Sequence, residues 1–252
     1  MARGRHTRLP PPYLKQIRWR DDVDVDRTVY PFDLPLLADD FSLRFDAAVT
    51  ILVGENGVGK STLLEGIAAV AGFDQAGGGP GYRPLDHSRA EERNSNDLEP
   101  VLRASWLPKM GQGWFFRAES FFSVARYLDE AASGVGAPPD FLSHSHGEGF
   151  LRFFAERCAR PGIFLFDEPE SALSPRRQFA FVKLLRDIQA AGVAQVIVAT
   201  HSPIVMALPG AALLSVTRGG IAPIVLEQTD HYRLLREFVL DPDGTLDAML
   251  AD

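Results

Sequence analysis

Eight consecutive residues carry a dense chemical pattern: Gly54-Glu55-Asn56-Gly57-Val58-Gly59-Lys60-Ser61, followed by Thr62. They satisfy G-x-x-x-x-G-K-[ST] at every fixed position. Glycines at 54, 57 and 59 permit positive φ and leave no Cβ in the way, so successive backbone N–H groups can converge on phosphate oxygens. A helix starting near Lys60 would add the partial positive charge of its N-terminus. Lys60 would carry a point charge to the β- and γ-phosphates, and the Ser61 hydroxyl would ligate Mg²⁺.

Two further clusters complement this loop. Asp167 and Glu168 follow the apolar run GIFLF, at a strand's C-terminal end, where open α/β sheets bind ligands. Asp167 is placed to hold the metal, and Glu168 to polarise an attacking water as general base. The second apolar run, VAQVIVA, ends in Thr200-His201-Ser202-Pro203 and brings one histidine to the same edge, where it can report on a terminal phosphate. His6, His87, His144 and His231 read as loop or tail residues. Cys158, the single cysteine, sits in an apolar, helix-like stretch and reads as packed.

The elements that must position these groups follow from hydrophobic patterning. Ala48 to Val53 (AVTILV) reads as a buried strand ending in the glycine loop, and Ser61 to Val70 as the helix after it. The runs at 162–166 and 193–199 are near-continuously apolar, as strands covered on both faces are. Between them Pro175 to Ala191 has helical periodicity, completing a strand–helix–strand unit; the expected class is α/β with a mostly parallel sheet flanked by helices. Residues 74–100 turn glycine-rich and then polar and read as a flexible insert, and Ser133 to Asp140 is a second weak stretch after the aromatic run Trp114 to Leu128. No solenoid or propeller period is present.

Bulk composition bounds the function classes. The 252 residues are 46 % hydrophobic, enough for one sizeable domain. With 26 Lys plus Arg against 33 Asp plus Glu, the formal charge is −7, so no global basic field draws the molecule to nucleic acid or an anionic membrane. Arg3, Arg5, Arg8, Lys15, Arg18 and Arg20 form a basic arm that reads as a solvated terminus. One cysteine excludes an internal disulfide framework and fits a reducing compartment. No uninterrupted apolar run approaches the roughly eighteen residues of a membrane span, and no apolar segment follows the N-terminal charges, so a cytoplasmic protein is expected.

GENGVGKST, FLFDEPESALSP and ATHSP, in that order and spacing, resemble the Walker A, Walker B plus D-loop, and switch-histidine segments of ABC-type ATPases. More narrowly the chain resembles small stand-alone bacterial ATPases of the AAA-family or ABC-transporter-like kind, an impression strengthened by FFRAESFFSVARYLDE and SHSHGEGFL. The resemblance covers roughly residues 28–235, leaving 1–27 as a partly disordered N-terminal arm and 236–252 as a C-terminal tail. It implies a P-loop fold with a small antiparallel β part near the N-terminus and a helical lobe, about 115–160, carrying the signature motif.

The resemblance also implies ATP and Mg²⁺ as ligands. It implies a homodimer in which each ATP lies between one subunit's Walker A loop and the other's signature. That signature is Ser145-His146-Gly147-Glu148 leading into a helix over 149–159: Ser145 and Gly147 match the family's serine and second glycine, while His146 and Glu148 replace its first glycine and its glutamine. Glu119 falls where the family's Q-loop glutamine would touch Mg²⁺ and the water. Tyr30 or Phe32 lies where an adenine-stacking aromatic sits. Ser171, Ala172 and Leu173 match the D-loop, which crosses the dimer interface. Two other readings stay open at this level: a nucleic-acid-associated ATPase of the repair or SMC kind, supported only by the basic arm and opposed by the lack of heptads between 62 and 144, and the nucleotide-binding subunit of a membrane transporter. A sensor that binds without hydrolysing is opposed by Glu168 and His201 both being present.

Overall fold

The computed structural model describes residues 9–74, 77–80, 98–117 and 146–251, with side chains from 149 onward in the last segment. The strands are β1 (Leu14–Trp19), β2 (Ser42–Arg44), β3 (Val49–Val53), β4 (Leu102–Trp106), β5 (Gly113–Arg117), β6 (Gly162–Asp167), β7 (Ala194–Ala199), β8 (Ala212–Thr217) and β9 (Gly220–Pro223). The helices are α1 (Lys60–Ala71), α2 (His146–Cys158), α3 (Pro175–Ala191), the short α4 (Pro203–Met206), α5 (Asp230–Leu240) and α6 (Pro242–Leu250).

The main sheet has six strands in the order β5-β6-β7-β3-β8-β9. Its first five strands are parallel and β9 returns antiparallel to β8. Every residue of β3, β6 and β7 is buried, because helices or the second sheet cover both faces. Alternation along β3 divides the core: Val49, Ile51 and Val53 face the layer holding α2 and α3, whereas Leu52 faces α1 and the smaller sheet. The loop after β3, the end of β6 and the end of β7 therefore meet at one carboxyl edge of the sheet.

The second sheet is antiparallel, β2-β1-β4, as the resemblance implies. Its central strand lies inside the segment expected to be a disordered arm: Tyr13, Leu14 and Ile17 are buried in the core. The basic run hid this strand because its charged residues face outward. Arg18 pairs with Asp21 and Arg20 with Asp22, so the acids that follow neutralise it locally. Gln195, wholly buried in β7, accepts hydrogen bonds from the N–H groups of Tyr13 and Leu14, 2.8 Å each, and donates to the Leu14 carbonyl at 3.0 Å. One polar side chain thereby ties the two sheets together.

Other boundaries shift. Residues 115–117, expected in a helical lobe, belong to β5 of the main sheet, and the rest of that region up to α2 lies outside the described residues. Most of the insert expected over 74–100 is likewise outside them, but its flanks are packed: Gly78 bridges Phe115, and Leu98 is fully buried. The C-terminal tail expected from residue 236 continues α5 and forms α6. Cys158 is buried, as expected, and burial pushes its thiol well above the usual range.

Candidate active site

The loop 54–61 joins β3 to α1. Gly59 is in the left-handed region at φ 98°, a backbone angle that favours glycine, and a Cβ there would stand 2.4 Å from Leu36 Cδ2, the end of a side chain that would have to shift. Gly54 approaches the neighbouring strand even more closely, since a Cβ would meet the Val216 carbonyl oxygen at 2.1 Å. Lys60 is buried; its ammonium donates to the carbonyls of Gly54 at 2.7 Å and Glu55 at 2.9 Å. Burial lowers its pKa, while the charges of Glu168 and Asp167 oppose that shift. Glu55, Asn56 and Gly57 form an exposed apex, Val58 is half-buried, and Thr62 is buried one residue past Ser61.

The first two carboxylates of the β6 end differ. Asp167 is buried and accepts a 3.0 Å hydrogen bond from the Ser61 hydroxyl. Burial pushes its pKa up to about 6, against the opposing charge of Arg117, whose Nε stands 3.7 Å from Oδ2. Arg117 is shared with Glu65 on α1 through a 2.6 Å ion pair. A buried carboxylate next to a serine hydroxyl, incompletely neutralised by one guanidinium, suits a divalent cation. Among the described residues no cluster of three or more His, Cys, Asp or Glu could hold a metal, so ligand oxygens would complete the shell.

Glu168 is more open, with 42 % of its side chain exposed. Its backbone is left-handed, φ 48° and ψ 54°, and is held there by its N–H donating to the Ala199 carbonyl of β7 at 3.0 Å. A non-glycine residue in that region costs on the order of 1–3 kcal/mol and marks functional sites when the surroundings enforce it. The strain aims the carboxylate across to the end of β7, where Glu168 Oε1 lies 3.4 Å from His201 Nε2. Burial lowers the His201 pKa, and the Lys60 charge adds to this.

Three contacts that the sequence does not reveal hold His201. Glu170 accepts a hydrogen bond from its backbone N–H. Ser202 donates to Gln178 Oε1 at 2.6 Å while Gln178 Nε2 donates to the Leu173 carbonyl at 3.2 Å, tying the histidine loop to the Ser171–Leu173 turn through α3. His231, expected to be a bystander, puts its Nε2 2.8 Å from His201 Nδ1. It also lines a cleft of about 400 Å³ between the first half of the glycine loop, the end of β8 and the start of α5. His231 and Glu170 had no legible signal because their partners are 30 and 31 residues away.

Of the two aromatics expected near the nucleotide, Tyr30 shares a 2.8 Å hydrogen bond with the Thr62 hydroxyl and is 48 % exposed. Phe32 packs instead against Trp19, ring centroids 6.3 Å apart. Glu119 and Ser145 lie outside the described residues; Gly147 and Glu148 fall in the first turn of α2.

Comparison with known proteins bears on the family of the chain. The "AAA domain" family model, whose description also names an AbiEii toxin and a type IV TA system, matches residues 137–207. The cytochrome c biogenesis ATP-binding export protein CcmA of Rhodopseudomonas palustris is 33 % identical over 175 residues, covering 64 % of this chain and 84 % of that protein. The zinc import ATP-binding protein ZnuC of Paracoccus denitrificans is 26 % identical over 188 residues, covering 69 % of this chain and 66 % of its own length. The hemin import ATP-binding protein HmuV of Streptomyces coelicolor is 33 % identical over 168 residues, 60 % of this chain and 58 % of that protein. The chain belongs to the ABC-type P-loop ATPases and is an ATP-binding, ATP-hydrolysing protein.

Proposed function

We propose that this protein is a Mg²⁺-dependent ATP hydrolase in which ATP at residues 54–61 drives closure of a homodimer and hydrolysis reopens it. The observation that carries this reading is the placement of Glu168 and His201 side by side, 3.4 Å apart, at the strand edge where Ser61 bonds Asp167. Backbone N–H groups of residues 54–62 and the Lys60 ammonium would hold the phosphates, and Tyr30, partly exposed beside Thr62, would stack on the base. Ser61 and Asp167 would hold Mg²⁺, with Glu119 as the further ligand that the family resemblance supplies. The metal, when bound, would neutralise charge on the phosphate oxygens. Glu168 would take a proton from water as the water oxygen attacks the γ-phosphorus and the bond to the bridging oxygen breaks. The His201 Nε2–H would donate to the γ-phosphate.

Closure rests on the resemblance: Ser145, together with Gly147 and Glu148 in the first turn of α2, would meet the ATP of the partner subunit, with the helix N-terminus adding favourable charge. Ser171, exposed in the turn tied to the histidine loop, would sense the partner. The test is Glu168→Gln. Steady-state phosphate release should fall by at least about 100-fold, the scale of a lost general base, while light scattering with Mg²⁺ and ATP shows a trapped dimer. Wild-type turnover that stays linear in enzyme concentration to high dilution would count against the dimer.

A second reading, the nucleotide-binding subunit of a membrane transporter, is favoured by the names of the three relatives, each an import or export ATP-binding protein. No helix among the described residues is long and apolar enough to cross a membrane. Co-purification with a polytopic membrane protein tests this second reading.

A further inference from the structure

The contact between His201 and His231 has a directional consequence for catalysis. A 2.8 Å nitrogen–nitrogen approach requires one proton between the two rings, because two facing lone pairs repel and two facing N–H groups clash. The groups around the pair decide which ring supplies it. His201 Nε2 is buried, makes no hydrogen bond among the described residues, and has the Glu168 carboxylate oxygen 3.4 Å away. A lone pair aimed at that carboxylate would be repelled, so the His201 proton belongs on Nε2. Its Nδ1 then presents a lone pair, and the proton between the rings must come from His231.

Burial and the Lys60 ammonium lower the His201 pKa, with Glu168 and Glu55 as the opposing negative groups, and His231 sits beside Asp230 in the first turn of α5. The Thr229 cap, buried, fixes the start of α5 by donating to the Leu226 carbonyl at 2.8 Å and accepting from the Tyr232 N–H at 3.4 Å, which sets the His231 ring in place.

We infer that His231 is a positioning residue for hydrolysis: by donating its Nε2–H to His201 Nδ1 it holds His201 in the tautomer whose Nε2–H points into the site, and it makes the orientation of α5 part of the active-site geometry. The tautomer of one imidazole is set by the bond its other nitrogen makes. The inference deepens the proposed role of His201 as the donor to the γ-phosphate and rests on that reading for its catalytic effect, though not for the tautomer itself.

The test uses the full chain labelled with ¹⁵N-histidine, as wild type, His231→Gln and His231→Phe. Long-range proton–nitrogen correlation should place the His201 proton on Nε2 in the wild type and in His231→Gln, whose side-chain amide can donate from a similar position. In His231→Phe, which has a ring but no donor, the tautomers should mix. Turnover should fall on the order of 10-fold in His231→Phe with KM for MgATP little changed, and recover mostly in His231→Gln. A wild-type His201 protonated on Nδ1, or a tautomer indifferent to His231→Phe, overturns the inference, and the wild-type spectrum alone decides the first point should a variant fail to fold. If the tautomers behave as stated while turnover is equal in all three proteins, the pairing stands and the catalytic role of His201 fails.

Discussion

At the end of β6, neighbouring carboxylates acquire different properties from their exposure. Asp167, buried beside Ser61, resists ionisation until about pH 6; Glu168, held in a left-handed backbone, keeps an open face for water. The raised Asp167 value has a sign that can be measured. Between the ordinary carboxylate range and about pH 6 the native state binds more protons than the unfolded chain, so this group's contribution to stability is largest in acid, falls as pH rises through about 6, and stays low above. Asp167→Asn cannot ionise and should escape that loss. In metal-free buffer its stability relative to wild type should improve between about pH 4 and 7 by up to about 3 kcal/mol, then level off. Thermal or urea melts across that range provide the check, and a constant difference would show that burial does not control this carboxyl.

At the scale of elements, the site depends on helices pressed onto the sheet by aromatic contacts. Phe154 on α2 is fully buried between Phe116 of β5, 4.1 Å between centroids, and Phe166 of β6, 4.7 Å, with Phe150 of its own helix at 4.0 Å. Phe166 lies immediately before Asp167, so the same packing that orders α2 supports the strand that delivers the carboxylates. Phe154→Ala should cost about 3–5 kcal/mol, read as a lowered denaturant midpoint, and should loosen α2 before the β3–α1 unit. A loss below about 1 kcal/mol would mean that the cluster repacks. The loop itself is clamped by short approaches at Gly54 and Gly59 and needs no such aromatic wedge.

At the scale of the molecule, the two sheets form one body partly because Gln195 answers three backbone groups of the N-terminal segment. Gln195→Leu keeps much of the volume but leaves two N–H groups and one carbonyl buried without partners. With each such orphan costing about 1–3 kcal/mol, the variant should lose at least about 3 kcal/mol. Hydrogen exchange should rise first at Tyr13, Leu14 and the edges of the smaller sheet. Protection there equal to wild type would show that the apolar contacts of Leu14 and Ile17 suffice. The proposed ATP-driven dimerisation, to be tested with Glu168→Gln, belongs to this scale too, since it would ask two such bodies to close on one another.

The amino-acid sequence by itself determined the groups with short-range logic. The loop 54–61, three of the six strands of the central sheet (β3, β6 and β7) and the helix 175–191 were legible because their patterns run over a few consecutive residues, and the acidic and histidine strand ends followed from them. Tertiary structure alone decided which residues support that chemistry. A basic run became a buried strand because its outward charges are paired by neighbouring acids. Gln195 joined the sheets from a segment that reads as near-continuously apolar. His231 reached His201 because the chain returns through β8 and β9 to place the start of α5 beside the glycine loop. Side-chain partners 30 to 182 residues apart leave no local periodicity, and only the packing of the sheet brings their atoms within hydrogen-bond distance.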